Sequence, residues 1–242
     1  LILVIFFDRG NIVSMLNSKR SKWVNTIVLL FSSYFVYFTY NHLPVKDFRP
    51  YSVGKNIIEG MKSCDELSLP CTEQAAIYIV RDKENDHLLE MNANDWIDQM
   101  DRYEYVEVTD KIDLLVDGYE PPIHDFSITI DNSDITDSIL NAELAYLIIS
   151  YDVEKSDKSA LKRLSDFYLS CEQEGITCIA MSSTNEDLIN DIRHMYNIMY
   201  PFAFTDETTL KTIIRSNPGI VRIESGTVVS KWHFNDMPNF IE

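Results

Sequence analysis

The sequence predicts an α/β protein behind a membrane-length apolar helix, and three observations carry that reading. Residues 23–45 (WVNTIVLLFSSYFVYFTYNHLPV) run for 23 residues without Asp, Glu, Lys or Arg. Two near-continuous apolar segments, AYLIISY (145–151) and ITCIAMS (176–182), flank an amphipathic helical stripe, as strands buried on both faces of a parallel sheet do. Further on, IVRIES and TVVSKWH flank Gly226 as a two-stranded hairpin. The expected organisation is a membrane segment at 1–45, a connector with a small α+β segment at 46–117, and a β-α-β-α-β-β domain at 118–242.

At 1.5 Å per residue the uncharged run reaches about 34 Å, against a bilayer core of roughly 30 Å. Trp23 at one end and Tyr37 and Tyr40 near the other suit an interfacial aromatic belt, and Pro44 ends the helix. A buried core helix is one alternative. A signal peptide is another, with Lys19, Arg20 and Lys22 as its basic region. The run is longer than a signal peptide needs, its aromatics replace the usual leucines, and no A-x-A-like site follows. The earlier run LILVIFF (1–7) is too short to span alone and reads as the end of a further transmembrane helix, so more chain is expected upstream. Residues 8–22 carry Arg9, Lys19, Arg20 and Lys22 against Asp8, whereas 46–60 carry Lys46, Arg49 and Lys55 against Asp47 and Glu59. That bias puts 8–22 in the cytoplasm and the large domain on the far side. In a bacterium this is an inner-membrane protein with a periplasmic domain.

Hydrophobic content of 45% and aromatic content of 12% exclude a disordered chain. The net charge is −17, and residues 43–242 alone hold 17 basic and 37 acidic side chains. A body so acidic repels phosphate backbones and anionic head groups, so nucleic acid is not an expected partner. The same charge also describes an ordinary solvated surface.

After the membrane segment, 46–71 is a polar connector punctuated by Pro50, Gly54 and Gly60. AIYIVRD (76–82) is an alternating strand, and HLLEM (87–91) pairs back on it across KEND. Asn94 caps a short helix at 95–101 with Trp96, Ile97 and Met100 on one face, and YEYVEVT (103–109) is a further strand. FSITI (126–130) is a strand and DITDSIL a turn or short helix. A helix over 157–173 stripes Leu161, Leu164, Phe167, Tyr168 and Cys171, with Gly175 at C′. Ser183 and Glu186 form a capping box for a helix whose apolar face is Leu188, Ile189, Ile192 and Met195. YPFAF (200–204) is extended, and Asp206 caps a last helix through Ile214.

This order resembles the thioredoxin fold. Gly118-Tyr119-Glu120-Pro121-Pro122-Ile123-His124-Asp125-Phe126 resembles the G-x-x-(A/P)-P-x-F opening of peroxiredoxin-like and TlpA-like domains. GITCIAMSS resembles their second core strand, and Asn217-Pro218 sits where that fold places its cis-proline. With LILVIFF and the apolar helix, the whole resembles the tail of a DoxX-family membrane protein, a type that can carry such a domain. Thioredoxin-like oxidoreductases place C-x-x-C directly after the strand matching AYLIISY, at a helix start that lowers the thiol pKa. Here the stretch reads Tyr151-Asp152-Val153-Glu154-Lys155-Ser156 and holds no cysteine. The resemblance therefore implies a groove formed by Tyr151, Asp152, Val153, Glu154, Asn217 and Pro218, without a nucleophile. The function it implies is a binding or assembly module for another membrane or periplasmic protein. The alternative is an accessory domain of a DoxX-type oxidoreductase acting in thiol, sulfur or quinone chemistry.

Cys64 and Cys71 lie in the connector with Pro70 favouring a turn, and are either a structural disulfide or free thiols. Cys171 and Cys178 fall on apolar faces and read as small core residues. Asp152 and Glu154 are either a carboxylate pair for acid/base work or solvated acids near a helix start. His124, His194 and His233 are scattered, and neither a zinc-ligand spacing nor a glycine-rich phosphate loop occurs, so no metal or cofactor and no catalytic residue is expected.

Overall fold

The structure, a computed structural model, describes residues 19–238. The LILVIFF run, Asp8 and Arg9 lie outside the described residues. Helix α1 (Lys19–Asn41) contains residues 23–41 of the uncharged run and ends three residues before Pro44. It is the one helix among the described residues that is long and apolar enough to cross a membrane. Its apolar side chains are not packed into the protein: Phe31 is 67% exposed and Val36 66%. That exposure removes the core-helix alternative.

By compactness the chain forms two units, Ile57–His124 and the remainder. The first holds helix α2 (Ile57–Met61), strand β1 (Glu73–Asp82), β2 (Leu88–Asn92), helix α3 (Ala93–Asp98) and β3 (Tyr103–Val116). They build an antiparallel sheet in the order β2-β1-β3. Tyr78, Trp96 and Tyr105 pack edge to face on it, with Tyr78 5.6 Å from Trp96 and 5.2 Å from Tyr105. Helix α3 starts two residues earlier than the sequence suggested. Asn92, not Asn94, is the N-cap, its Oδ1 accepting from the Asp95 N–H at 2.8 Å. Gly118 packs where no side chain fits, since a Cβ there would lie 2.4 Å from the Cys71 carbonyl carbon.

The second unit is built on a seven-stranded sheet, β10-β9-β6-β7-β8-β4-β5. In chain order these are β4 (Thr129–Ile130), β5 (Ser133–Asp134), helix α4 (Thr136–Leu140), β6 (Ala145–Ile149), helix α5 (Lys158–Gln173), β7 (Thr177–Ser182), helix α6 (Glu186–Tyr196), β8 (Phe202–Phe204), helix α7 (Glu207–Ile213), β9 (Gly219–Glu224), β10 (Thr227–His233) and a 3₁₀ turn (Phe234–Asp236). β6, β7 and β8 are parallel, β9 returns antiparallel on β6, and β10 pairs antiparallel with β9. The core order β10-β9-β6-β7 with its α5 crossover is that of the thioredoxin fold.

Every residue of β6 is buried. Leu161, Leu164, Phe167 and Cys171 of α5 pack on it together with Ile189 and Ile192 of α6. Met195, expected on that face, is 71% exposed; beyond Ile192 the core is filled by Ile198 and Tyr200, past the helix end, where Asn197 is left-handed. The capping box is also replaced. Asn185 Oδ1 accepts from Leu188 N at 2.9 Å, while Ser183 Oγ donates to the Tyr151 carbonyl at 2.6 Å. Of FSITI only Thr129 and Ile130 are strand, Thr129 pairing with Phe204, while Phe126 and Ile128 are buried in the core.

Residues 42–56 are fixed to this unit. Gly54 N–H donates to the Val228 carbonyl at 2.7 Å and Val228 N–H to the Lys55 carbonyl at 2.9 Å, so the segment pairs with β10. Asp47 is held by Arg49 Nε and Nη2 at 2.8 and 2.9 Å and by Lys231 Nζ at 3.1 Å. Arg49 and Lys231 also donate to the Lys211 and Ile213 carbonyls at 3.0 and 2.7 Å, closing the C-terminal end of α7. Burial raises the Asp47 carboxyl, but the hydrogen bonds from Arg49 and Lys231 outweigh it and hold the group well below the usual carboxylate range. Because that shift is downward, the cluster's contribution is complete at neutral pH and is lost as pH falls below about 4.

Lys231 keeps only 5% of its side chain exposed, so removing its partner leaves a buried uncompensated charge. Asp47→Asn is expected to destabilise the full chain by roughly 3 kcal/mol at pH 7 in chemical denaturation. The difference from the wild type should narrow as the pH is taken below about 4. An unchanged midpoint at pH 7 would show that the cluster is not a structural anchor.

Candidate functional site

The position that the fold family uses for its nucleophile lies between the end of β6 and the start of α5. Here it is an eight-residue loop, Ser150–Asp157. Asp157 caps α5, its carboxylate accepting from Ala160 N at 2.8 Å. The loop is held from three directions. Thr184 Oγ1 accepts from the Val153 N–H at 3.1 Å, beside the Ser183 bond to Tyr151. Lys158 Nζ reaches back to the Val153 and Glu154 carbonyls at 2.8 and 2.5 Å. Asn217 supplies the third set: its Nδ2 donates to the Asp152 carbonyl at 2.7 Å, its Oδ1 lies 3.0 Å from Ser156 Oγ, and its carbonyl accepts from Asp157 N at 3.3 Å. The Asn217-Pro218 peptide is cis.

The residues singled out from the sequence therefore meet, but not as an open groove. Val153 is fully buried and belongs to the core cluster. Pro218 is buried, and the Asn217 amide bridges the two sides. Tyr151, Asp152 and Glu154 form the accessible face. Asp152 binds Lys155 through an ion pair of 2.6 Å. Burial raises the Asp152 carboxyl, and the Lys155 hydrogen bonds more than offset it, leaving it below the ordinary range. A carboxylate held ionised by a neighbouring ammonium is a poor proton donor at neutral pH. Burial pushes the Tyr151 phenol up, while Lys211 lies over its ring at 5.5 Å.

Cys64 and Cys71 form a disulfide with a Cα–Cα separation of 5.2 Å. Cys171 and Cys178 are buried free thiols. The hydrogen bond to Cys171 and burial push the Cys178 thiol well above its ordinary value, so it is not a thiolate at neutral pH. Cys178 is paired with Tyr146 near the start of β6, the end of the sheet opposite the Ser150–Asp157 loop.

Sequence reasoning missed two parts of this architecture. Lys158 and Thr184 look like ordinary helix and loop residues, and only the fold aims them at the loop's backbone. A second cluster joins chain positions 194 residues apart: His42 Nδ1 lies 2.8 Å from both carboxylate oxygens of Asp236, and Asn235 Nδ2 donates to the Asn41 carbonyl at 3.0 Å. Neither carries a local sequence signal.

No family model and no curated protein matches the chain. Solved structures resemble it over less than half its length. A candidate protein disulfide isomerase from Bacteroides thetaiotaomicron is 16% identical, covers 47% of this chain and 77% of its own, and has a TM-score of 0.38. A thioredoxin-family thiol:disulfide interchange protein from Chlorobium tepidum is 14% identical over 44% of this chain and 81% of its own, with a TM-score of 0.35. StoA from Bacillus subtilis is 15% identical over 44% and 84%, with a TM-score of 0.34. The fold assignment rests on strand order and direction, not on these scores.

The thiols give a direct check. In denaturant without reductant, alkylation is expected to modify two cysteines per chain, Cys171 and Cys178, and with reductant four. Under native conditions none should react quickly. Four modified cysteines in denaturant without reductant would rule out the Cys64–Cys71 bridge.

Proposed function

We propose that this is a membrane-tethered protein whose thioredoxin-fold domain serves as a binding or assembly module and not as a thiol catalyst. One observation carries the reading. Where thioredoxin-like oxidoreductases present a thiolate, this chain presents the hydrogen-bonded loop Ser150–Asp157 with Asp152 paired to Lys155. Thiol–disulfide exchange needs an accessible thiolate of depressed pKa. The two free cysteines are buried near the opposite end of the sheet. The bound partner is expected to be another membrane or extracytoplasmic protein that docks on Tyr151, Asp152 and Glu154. The membrane helix and the basic residues of 8–22 support an arrangement with residues 46–242 outside the cytoplasm, in a bacterium the periplasm.

The full chain in detergent is expected neither to speed insulin reduction by dithiothreitol above a protein-free control nor to consume peroxide. A photo-crosslinking residue at exposed Glu154 should yield one discrete adduct in native membranes, and the same residue at Lys162 on α5 should not. Reductase turnover that vanishes in the Cys171→Ser, Cys178→Ser double variant would overturn the reading. Protease added to spheroplasts should digest the domain while a cytoplasmic marker survives, and protection of the domain would reverse the orientation.

A further inference from the structure

The end of the membrane helix carries a polar feature that the thioredoxin-fold site does not use. A cavity of about 60 Å³ lies against the last turn of α1, lined by Thr39, Tyr40, His42, Pro44, Arg215 and His233. One water needs roughly 10–15 Å³ on the same kind of measure, so the space holds a group of several heavy atoms.

Two of its lining side chains, Arg215 and His233, have donors to offer. Arg215 is exposed and makes no ion pair or hydrogen bond among the described residues. Its planar guanidinium matches two oxygens of a phosphate. His233 is 6% exposed, and its Nδ1 accepts from the Asn235 N–H at 3.2 Å, which leaves the ring proton on Nε2 as a donor. Burial lowers the His233 pKa, so the ring is neutral at pH 7 and serves as a fixed dipole. The acid nearest this group is already engaged, because Asp236 is bound by His42. A cavity lined by an arginine without an ion-pair partner among the described residues stands out on a body that is otherwise strongly acidic.

Its position supplies the identity of the ligand. The cavity sits where an apolar span of 20 residues ends, at the depth of lipid head groups. Tyr40, which lines it, and Val45, next in the chain to Pro44, are 83% and 92% exposed, apolar surface that acyl chains would cover. A net anionic lipid is disfavoured by the acidic body around the site. A zwitterionic head group offers the same phosphodiester with an amine that acidic surroundings accept.

We propose that the juxtamembrane cavity of Arg215 and His233 binds the phosphodiester of a zwitterionic phospholipid, fixing the domain against the bilayer surface. The inference rests on the membrane-tethered reading, and the two are tested apart. Alkaline carbonate extraction of native membranes tests the tether, and release of the chain would sink that reading alone. For the site, the full chain in phosphate-free detergent is titrated calorimetrically with short-chain phosphatidylethanolamine, phosphatidylglycerol, diacylglycerol and inorganic phosphate. Phosphatidylethanolamine is expected to bind saturably and more tightly than the others. Arg215→Gln should weaken it at least tenfold, with an unchanged melting temperature in the absence of lipid. His233→Asn, which keeps an acceptor for the Asn235 N–H but removes the Nε2 donor, should also weaken it. The proposal fails if diacylglycerol binds as well as phosphatidylethanolamine, if phosphatidylglycerol binds more tightly, if only inorganic phosphate binds, or if Arg215→Gln binds like the wild type.

Discussion

Strand β6 is buried at all five of its residues, with Leu147, Ile148 and Ile149 at 0% exposure. A strand removed from water on both faces and both edges must find partners for every backbone N–H and C=O. β7 supplies them on one side in parallel and β9 on the other in antiparallel. A parallel neighbour needs a crossover, so α5 must lie between β6 and β7, and its apolar stripe covers one face. The rest of the sheet is built outward from that strand. The loop after β6 emerges at the sheet's edge beside the Asn217-Pro218 peptide because β9 runs back along the same strand.

That geometry brings the Ser150–Asp157 loop beside Asn217, and hydrogen bonds to its backbone hold it there. Asn217, Ser183, Thr184 and Lys158 bind carbonyls and an N–H of the loop and leave the accessible side chains facing outward. In the binding role proposed above, a loop so restrained would lose little conformational freedom on docking. The same economy operates beside the end of α1. Residues 42–56 are tied down by His42–Asp236, by Asp47 with Arg49 and Lys231, and by strand pairing to β10. Residues 42–56 are thus fixed to the sheet of their own unit, and the cavity beside α1 exists because the end of that helix is held against the 3₁₀ turn after β10.

Much of this was legible in the sequence because burial leaves a periodic trace. AYLIISY and ITCIAMS read as strands covered on both faces, and the Leu161–Leu164–Phe167–Cys171 stripe as a helix with one apolar side, and both readings match the structure. Asp206 capped its helix as read, and Gly175 took the left-handed turn after α5. The misreadings share one cause. Ser183 and Asn94 are good N-caps in isolation, but Ser183 is claimed by Tyr151 across the loop and Asn92 forms the cap in place of Asn94. Met195 fits the helical period, yet Ile198 and Tyr200, past the turn at Asn197, take the core positions. Residues 46–56 are polar and glycine-bearing, as linkers are, and nothing local records that they pair with β10.

The sequence by itself determined the apolar helix, the strand and helix order of the thioredoxin fold, the acidic body and the absence of a thiol after β6. Each follows from composition or from a repeat of two or 3.6 residues, which the chain writes locally. Only the tertiary structure decided that Val153 is core, that Asn217 bridges to Asp152, that Asp47 meets Lys231, and that Arg215 and His233 share a cavity with the end of α1. These are meetings between residues tens to nearly two hundred positions apart. Their partners are chosen by how the strands close into a sheet, and no local pattern encodes that choice.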